Sequence, residues 1–412
     1  MNPRRVVITG LGCVTSLGQD VEPVWQAVRE GRSGIKPITK FDTTDYTTKI
    51  GGEVSDWAGG KHLAPREAKR LDRFAQFAVN AAIDAVVHAG LDFEKEDPWR
   101  CGAIIGSGVG GIEELAAGHL TLIEKGPDRV SPFMVPKLMC NAGSGNVSIR
   151  FGLKGPNSAP TSACASAAHA IGEAAEAIRH NVADVMITGG SEAALTPIGL
   201  ASFIALKALS KRNDDPTHAS RPWDEDRDGF LLSEGAGILV VEEYEHAKAR
   251  GANVLAEVIG WGQSADGYHI TAPDEAGRGA AEAMKLALND AHINPDDIDY
   301  INAHGTSTGL GDLAEARAVK RVFGNPADAP PVSSTKSTTG HLLGASGGIE
   351  TILCALALRD SVIPPTANLE KPSEECDLDF VPQTAREAPL NTVISNSFGF
   401  GGHNVCLVLK KV

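Results

Sequence analysis

Apolar and polar positions follow one another along this chain in the pattern of successive strands and helices. Short apolar runs predict strands at residues 6–10, 102–105, 183–188, 238–242, 256–259, 298–303, 392–395 and 405–409. Longer segments predict helices at residues 66–89, 279–292 and 345–359, because their apolar residues recur every three or four positions. Strands that alternate with helices indicate an α/β fold with buried sheets.

The chain is organised around residues 157–190. Small residues follow a Gly-Pro turn signal, and Cys164 comes directly before an alanine-rich helical segment. The apolar stripe of that helix consists of Ala168, Ile171, Ala175 and Ile178. Cys164 should therefore lie where a strand ends and a helix begins, and there the helix N-terminus is expected to lower the thiol pKa. Taken alone, however, a cysteine is more often a small buried apolar residue.

The second half of the chain repeats the first. The pair Ala-Ser at residues 165–166 recurs at 345–346, and IRHNV at 178–182 is answered by LRDSV at 358–362, with an offset of 180 residues at both ends. A duplicated α/β unit explains this spacing. We place its boundary near residues 250–256, so that residues 1–252 form one half and residues 253–412 the other.

Three polar segments follow strands of the two halves. They are the region of Cys164, the run NAHGTSTGLGD at residues 302–312 and the run SSTKSTTGHLLGASGG at residues 333–348. Ligands of α/β folds bind beyond the carboxyl ends of strands, so halves packed face to face would bring Cys164, His304, Lys336 and His341 into one pocket. Such a set suits acyl transfer: a thiolate attacks a thioester, and neutral imidazoles donate hydrogen bonds to developing negative charge.

Each of these residues also has a structural interpretation. A lone histidine is commonly a satisfied structural group, and Lys336 alone reads as a surface lysine. Ser346 lies in a GxSxG match (residues 344–348), so a serine hydrolase is a rival function, although that motif requires the serine at a turn directly after a strand. The glycine-rich run GSGVGG at residues 106–111 only loosely matches a dinucleotide loop.

Composition limits the remaining classes of function. The chain has 412 residues, 42% hydrophobic and 22% charged, which is typical of a globular protein. Seven scattered cysteines without a CxxC pair argue against a disulfide framework or structural zinc and favour the cytoplasm. No signal peptide and no apolar run long enough for membrane insertion are evident.

Net charge argues against one class of partner. A formal charge of −14 disfavours nucleic acid. Local basic clusters run against this average. Arg66, Lys69, Arg70 and Arg73 have the spacing of one helix face, and Lys207 lies in a second cluster. Such clusters are usually solvated faces, and the alternative is a docking site for an acidic macromolecule.

Four motifs in order carry a resemblance that spans residues 6–409. They are ACAS at 163–166, NAHGTST at 302–308 with Asp312, STKS at 334–337 with Gly340 and His341, and NSFGFGG at 396–402. The chain resembles the β-ketoacyl-acyl-carrier-protein synthases, specifically the condensing enzyme II type of bacterial fatty acid synthesis. The resemblance implies a thiolase-like, five-layered α-β-α-β-α fold with two pseudo-equivalent halves, and a homodimer.

The resemblance also implies an acyltransferase mechanism. Cys164 would take an acyl chain from the phosphopantetheine arm of acyl carrier protein, and a malonyl carrier would then lose CO2 and condense with that chain. His304 and His341 would bind the enolate oxygen, and Lys336 would tune their field. The backbone N–H groups of Cys164 and Phe400 would form an oxyanion hole, with Phe400 as a gate. A type II polyketide or other specialised ketosynthase is the alternative pathway.

Further positions take their roles from the same resemblance. Thr306 and Thr308 would contact pantetheine, while Val109 and Phe203 would line the acyl pocket. Arg66, Lys69, Arg70 and Lys207 would meet the acidic carrier. A monovalent cation, Na+ or K+, would be held by Asn302, Glu350, Ser395 and Asn396, and no tightly bound cofactor is implied. The chain departs from the family at Gly309, where proline is frequent, and at His403, where threonine is frequent. Neither departure touches the Cys-His-His set, whereas non-catalytic chain-length factors lose the cysteine.

Overall fold

The computed structural model describes residues 4–412, and its largest feature is a ten-stranded mixed sheet. The strands are β1 (Val6–Val14), β2 (Lys36–Pro37), β3 (Ile50–Gly51), β4 (Cys101–Gly106), β5 (Asn157–Ser158), β6 (Val185–Glu192), β7 (Gly235–Glu243), β8 (Ala256–Ala265), β9 (Tyr300–Asn302), β10 (Val332–Ser333), β11 (Val362–Ile363), β12 (Arg386–Glu387), β13 (Thr392–Gly399) and β14 (His403–Lys410). The helices are α1 (Val21–Arg29), α2 (Pro65–Ala68), α3 (Arg73–Ala89), α4 (Ile112–Lys125), α5 (Met134–Leu138), α6 (Ala142–Phe151), α7 (Ser166–Arg179), α8 (Pro197–Ala205), α9 (Tyr244–Ala249), α10 (Arg278–Ala291), α11 (Gly309–Phe323), α12 (Lys336–Thr339) and α13 (Ser346–Asp360).

The sheet consists of two halves with the same topology. The order β5-β4-β6-β7-β1 continues into β8-β14-β13-β9-β10, so the second half repeats the first in reverse across the β1–β8 junction. In each half the three outer strands are parallel and the two inner strands pair antiparallel. The two sheet halves pair with each other at Val7 with Glu257 and at Ile8 with Ala256.

Helices and sheet halves alternate in five layers. Side chains of α3 and α6 pack on one face of the first half, and side chains of α10 and α11 pack on the corresponding face of the second half. Between the two halves lie α7 and α13, whose apolar residues form the central core with both sets of strands. The predicted α-β-α-β-α architecture with two pseudo-equivalent halves is therefore confirmed. The exact residue at which the halves divide, between 252 and 253, stays a prediction.

Glycines let the outer helices approach their strands closely. A Cβ atom on Gly12 of β1 would lie 1.9 Å from the Ala81 carbonyl oxygen of α3. A Cβ atom on Gly262 of β8 would lie 2.3 Å from the Ala283 carbonyl oxygen of α10. Neither space accepts a side chain, and the two contacts are equivalent in the two halves.

The helix expected over residues 66–89 is two helices. Helix α2 ends at Ala68, and α3 begins at Arg73 after an extended Asp72 whose side chain accepts the N–H of Phe74. An aspartate N-cap starts a new helix, and its extended backbone ends the helical repeat of the preceding residues. The expectation that Arg66, Lys69, Arg70 and Arg73 share one helix face is consequently wrong.

Two expectations from composition have direct structural counterparts. All seven cysteines carry free thiols, as expected from their scattered positions. Across residues 4–412 none of the helices combines the length and the apolar character that a membrane crossing requires.

Candidate active site

Cys164 lies in a tight turn at the start of the central helix α7. It is the middle residue of a 3-10 turn, Ala163–Ala165, in which Ala163 has a φ of 51°. The turn before α13 in the other half has the same feature, with a φ of 48° at Leu343. The predicted position before a helix is confirmed, but β5 ends at Ser158, so a loop separates the strand from the turn.

Three side chains meet at this turn. The Nε2 atom of His341 lies 3.0 Å from the Cys164 sulfur, and the ring centroids of His304 and His341 are 5.3 Å apart. The sulfur and one nitrogen of each ring all lie within 4.8 Å of one another. The backbone N–H groups of Phe400 and of Cys164 itself act on the sulfur. A reacting carbonyl can therefore contact a thiol, two imidazoles and two backbone donors at once.

Burial controls the protonation of this cluster. It raises the pKa of the Cys164 thiol to about 12, against the lowering effects of Lys336 and of the Phe400 N–H. The expectation that the helix N-terminus lowers the net thiol pKa is therefore wrong, because desolvation outweighs it. Burial and the charge of Lys336 hold the pKa values of His304 and His341 well below the usual range. The resting cluster is consequently a neutral thiol beside two neutral imidazoles.

Lys336 lies behind the histidines and does not line the cavity that holds them. Its side chain is buried and forms an ion pair with Glu350 on α13. Its charge lowers the pKa values of His304, His341 and Cys164, so it acts on all three groups through space. The interpretation of Lys336 as a surface lysine is excluded.

A single cavity of about 620 Å³ contains most of the predicted site. Its lining includes Cys164, His304, His341, Phe400, Thr306, Thr308, Val109, Phe203 and Lys207. Phe203 and Leu343 pack in the apolar cluster that contains Cys164, whereas Val109, Thr306, Thr308 and Lys207 lie in connections between strands and helices. The loop of Phe400 is tied to a neighbouring loop, since the N–H of Gly401 donates to the Ile270 carbonyl over 2.7 Å.

Two residues that support the histidines were not predicted. The carboxylate of Glu315 on α11 accepts the N–H groups of His304 and Gly305 over 2.9 and 2.7 Å. The signal in the sequence was an acid in the first turns of the helix that follows the NAHGTST loop. The Ser346 hydroxyl lies 3.0 Å from His341 Nδ1 and is buried at the start of α13. Because a turn and no strand precedes Ser346, the geometry of a hydrolase nucleophile is absent there.

Four buried oxygen atoms among the predicted cation ligands have no hydrogen-bond partner within residues 4–412. They are Asn302 Oδ1, Glu350 Oε2, Ser395 Oγ and Asn396 Oδ1. Asn302 and Ser395 are paired in register on neighbouring strands β9 and β13. An unpaired buried oxygen is costly, and a cation is one way to satisfy several at once. These residues therefore fit a small oxygen-liganded cation.

The predicted carrier-binding residues fall into two places. Arg66, Lys69 and Arg70 are exposed on and after α2, whereas Lys207 is exposed at the rim of the cavity. Arg73, which shares the spacing of the first group, forms an ion pair with the buried Glu234.

Comparisons with known sequences decide the family. Residues 3–247 match the family "Beta-ketoacyl synthase, N-terminal domain", and residues 255–370 match "Beta-ketoacyl synthase, C-terminal domain". The chain belongs to the β-ketoacyl synthase family. Among the relatives of this β-ketoacyl synthase, proteins named 3-oxoacyl-[acyl-carrier-protein] synthase 2 from Coxiella burnetii and Vibrio harveyi are 52% and 50% identical, each with both chains covered completely. The predicted resemblance is thereby confirmed.

Solved structures agree with the assignment to the family. A β-ketoacyl synthase from Burkholderia phymatum has a TM-score of 0.92 and 37% identity, with 99% of this chain and all of that chain covered. The ishigamide ketosynthase/chain length factor has a TM-score of 0.93 and 35% identity with complete coverage of both chains. A type II polyketide ketosynthase in complex with its acyl carrier protein has a TM-score of 0.91 and 34% identity, again with complete coverage.

Proposed function

We propose that this β-ketoacyl synthase is an acyltransferase that elongates fatty acyl chains. It condenses an acyl group held on Cys164 with malonyl-acyl carrier protein, giving β-ketoacyl-acyl carrier protein and CO2. The observation that carries this assignment is the contact of the Cys164 sulfur with His341 Nε2 at 3.0 Å, with His304 beside it in one cavity. A chain-length partner without catalysis is disfavoured because the thiol is present and in contact with a base.

The first half-reaction transfers the acyl chain. His341 Nε2 takes the proton of the Cys164 thiol as the sulfur attacks the thioester carbonyl, and the backbone N–H groups of Cys164 and Phe400 bind the oxyanion. The carbonyl reforms as the carrier thiolate leaves, and that thiolate takes the proton back from His341. A neutral histidine is required at the start, in agreement with its lowered pKa.

The second half-reaction forms the new carbon–carbon bond. The bond between the malonyl carboxylate and its methylene carbon breaks, CO2 leaves, and the electron pair forms an enolate whose oxygen accepts from His304 and His341. The methylene carbon then attacks the acyl carbonyl on Cys164, and the released thiolate is protonated from solvent. His341 must donate here, and the Ser346 hydroxyl at Nδ1 suits both tautomers because it donates or accepts.

The cavity supplies separate surfaces for the two parts of the substrate. Thr306 and Thr308, whose hydroxyls are 3.0 Å apart, offer polar contacts to the pantetheine arm. Val109 and Phe203 offer apolar surface to the acyl chain. Phe400, on the glycine-rich loop beside Cys164, admits the second substrate after the first has reacted.

Acyl carrier protein is the partner that this chemistry requires, because it carries the phosphopantetheine thioester. Arg66, Lys69, Arg70 and Lys207 are exposed cations in a chain with a net charge of −14, so they are suited to an acidic partner. A structural neighbour is a ketosynthase in complex with its acyl carrier protein. We assign no role to nucleic acid, and the cytoplasmic location stays a prediction.

We also propose that the protein is a homodimer. Strand β5 is at one edge of the large sheet, and its residues Asn157 and Ser158 are exposed. In the same half of the chain, none of the 14 residues of helix α4 is buried in the single chain, although the helix carries Leu115, Leu120, Leu122 and Ile123. An amphipathic helix without a buried face needs a partner surface.

A monovalent cation completes the proposal. Na+ or K+ would be held by Asn302, Glu350, Ser395 and Asn396, each of which has one buried side-chain oxygen without a hydrogen-bond partner among residues 4–412. Its contribution would be structural, since it would satisfy buried oxygens between β9, β13 and α13. No tightly bound organic cofactor is part of the mechanism.

Intact-protein mass spectrometry tests the function directly. After incubation with a long-chain acyl carrier protein, we expect one acyl adduct on Cys164, and malonyl carrier protein should discharge it as β-ketoacyl product appears. Cys164→Ala should give no adduct, whereas Cys140→Ala, which alters a half-buried cysteine outside the lining of the cavity, should behave as the parent. An adduct that malonyl carrier protein never discharges would contradict the condensation.

The same assay separates the alternative pathway. Structural neighbours include type II polyketide ketosynthases at 34% identity, while the relatives at 50% or more carry the name 3-oxoacyl-[acyl-carrier-protein] synthase 2. A fatty acid enzyme should discharge saturated acyl chains and accept the reduced product again. A polyketide enzyme should instead add malonyl units repeatedly to an unreduced β-keto chain.

A further inference from the structure

A buried carboxylate lies where the two halves of the protein meet, beside the catalytic thiol. Glu192 is the last residue of β6, and its side chain is fully buried. The mechanism above does not use it. Its hydrogen-bond partners within residues 4–412 are all neutral donors, and burial raises its pKa to about 7, so the carboxylate is charged mainly above that pH.

Four hydrogen bonds converge on this carboxylate from two directions. Oε2 accepts from the N–H groups of Gly108 and Gly344, over 2.7 and 3.2 Å. Oε1 accepts from the Ser107 hydroxyl over 3.0 Å and from the Val109 N–H over 3.2 Å. Residues 107–109 follow β4 in the first half, whereas Gly344 belongs to the turn before α13 in the second half.

The two segments that Glu192 holds are both parts of the active site. Gly108 and Val109 line the cavity. Gly344 is three residues after His341, which contacts the Cys164 sulfur. The segments also touch each other, because a Cβ atom on Gly344 would lie 2.4 Å from the Gly108 nitrogen. Two N–H groups that face the same point need an acceptor between them.

We propose that Glu192 is a positioning residue whose carboxylate holds the acyl-pocket loop, residues 107–109, against the turn that follows His341. It thereby fixes the wall of the acyl pocket and the contact between His341 and Cys164 as one unit. The expected effect on acyl transfer rests on the proposed function, whereas the holding of the two segments by Glu192 does not. It also explains the glycine-rich run at residues 106–111 without a dinucleotide.

The charge of Glu192 gives the proposal a second, independent consequence. Glu192 raises the pKa of the Cys164 thiol, while Lys336 lowers it. The other titratable groups facing the thiol are His304 and His341, both of which are neutral at rest. Removing the negative charge should therefore make Cys164 easier to ionise, even where the geometry of the site has suffered.

Glu192→Gln is the test variant. The glutamine amide has the shape of the carboxylate, but its NH2 group must take the place of either Oε1 or Oε2. In the first orientation the N–H of Val109 loses its acceptor, and in the second the N–H of Gly108 does. We expect kcat/KM for transfer of a long acyl chain to Cys164 to fall by about 100-fold, because sub-ångström placement of reacting groups has effects of that order. We also expect the midpoint pH for iodoacetamide alkylation of Cys164 to fall.

Two further variants make the test decisive. Glu242→Gln, at an equally buried carboxylate in another hydrogen-bond network, should leave the alkylation midpoint of Cys164 unchanged. Ser107→Ala removes one donor and keeps the charge of Glu192, so it should slow acyl transfer by a smaller factor without lowering that midpoint. It also replaces Glu192→Gln if the latter does not fold.

Alkylation requires no condensation activity, so it reports on Glu192 even if the proposed function fails. Folded Glu192→Gln protein with the parent rate of acyl transfer would overturn the inference. An unchanged alkylation midpoint in that variant would overturn it as well.

Discussion

Lys336 and Glu350 form a charged pair inside the protein, in contact with little else that is charged. Both side chains are almost completely buried, and one Glu350 oxygen has no hydrogen-bond partner in the described part of the chain. A pair of this kind contributes little to net stability, since desolvation offsets the attraction, but either partner alone is an uncompensated buried charge. The pair is therefore better explained by its electrostatic effect on the two histidines.

A double-mutant cycle tests this view of the pair. Lys336→Met should lower the free energy of unfolding by about 3–5 kcal/mol, because it leaves Glu350 unpaired, and Glu350→Gln alone should also destabilise. The double variant should lose less than the two single losses added together. Urea unfolding followed by circular dichroism measures all four proteins. Additive losses would show that the two charges are not coupled.

Gly309, where the resemblance leads us to expect proline, is a position at which the structure does not require glycine. It is the first residue of α11, a Cβ atom there would contact nothing within 4 Å, and the preceding Thr308 has φ −102° and ψ 145°. Proline is favoured at the first position of a helix and accepts an extended residue before it. Arg227 donates a hydrogen bond to the backbone carbonyl of residue 309 over 3.1 Å, and a proline at this position would keep that carbonyl.

Gly309→Pro should therefore stabilise the protein. We expect the free energy of unfolding to rise by about 0.4–1 kcal/mol, chiefly through a less flexible unfolded chain. Chemical denaturation provides the measurement, and Gly311→Ala is the matched comparison. A Cβ atom on Gly311 would lie 2.5 Å from the Thr308 hydroxyl, so that variant should be destabilised. Destabilisation by Gly309→Pro would mean that this loop requires a glycine.

At the scale of elements, a cluster of charges joins helix α9 to strand β7. The His246 ring lies 2.8 Å from Glu242 on β7 and 2.8 Å from Glu96 in the connection before β4. Glu242 also binds Arg250 and the Thr9 hydroxyl of β1. Hydrogen bonds from Glu242 and Glu96 raise the pKa of His246 to about 9.

This cluster predicts a loss of stability in alkaline solution. The folded pKa of His246, about 9, lies above the ordinary value of 6.5, so the folded protein binds this proton more tightly than the unfolded chain does. The resulting stabilisation is complete below pH 6.5 and disappears as the pH rises through about 9. His246→Gln should flatten that part of the profile of unfolding free energy against pH. His218→Gln, which replaces an exposed histidine, should give the same profile of unfolding free energy against pH as the parent. Identical profiles for the parent and both variants would exclude the role of His246.

The long strands were predictable from the sequence, whereas helices α1, α4, α5, α6, α8, α9, α11 and α12 were not predicted. Each predicted strand overlaps an observed one, because buried strands are continuous apolar runs. The helix over residues 66–89 was wrong because an N-cap aspartate, Asp72, lies inside a repeat that otherwise continues. Helix α4 was not predicted, since its apolar residues do not face this chain's own core.

The candidate site was predictable to a different degree. Cys164, His304 and His341 lie in motifs whose residue types and family resemblance indicated the chemistry, and the structure brings them together. No sequence motif marks Glu192 or Glu315. A carboxylate that accepts backbone N–H groups must lie close to them in the fold, but it requires no particular neighbours in sequence. The raised thiol pKa was also beyond the sequence, since burial of Cys164 decides it.

At the scale of the whole molecule, apolar residues remain exposed on one side of the single chain. Ile123 on α4 is 71% exposed and Val135 on α5 is 61% exposed. The edge strand β5 belongs to the same sheet half as β4, and the loop that contains Val109 leads from β4 into α4. A second copy that covers this surface would therefore also cover one end of the acyl pocket, where Val109 is 36% exposed.

Charge introduced into this surface tests the homodimer. Ile123→Asp with Val135→Asp places two carboxylates where we expect an apolar interface, and desolvating them would oppose association. Sedimentation velocity should give twice the chain mass of 43.1 kDa for the parent and a single chain for the variant. Val87→Asp, at a residue 73% exposed near the C-terminal end of helix α3, should remain dimeric. Because the pocket would lose its cover at Val109, the monomer should transfer long acyl chains more slowly than short ones. A parent protein that sediments as a single chain would contradict the homodimer, and the exposed face of α4 would then require another partner.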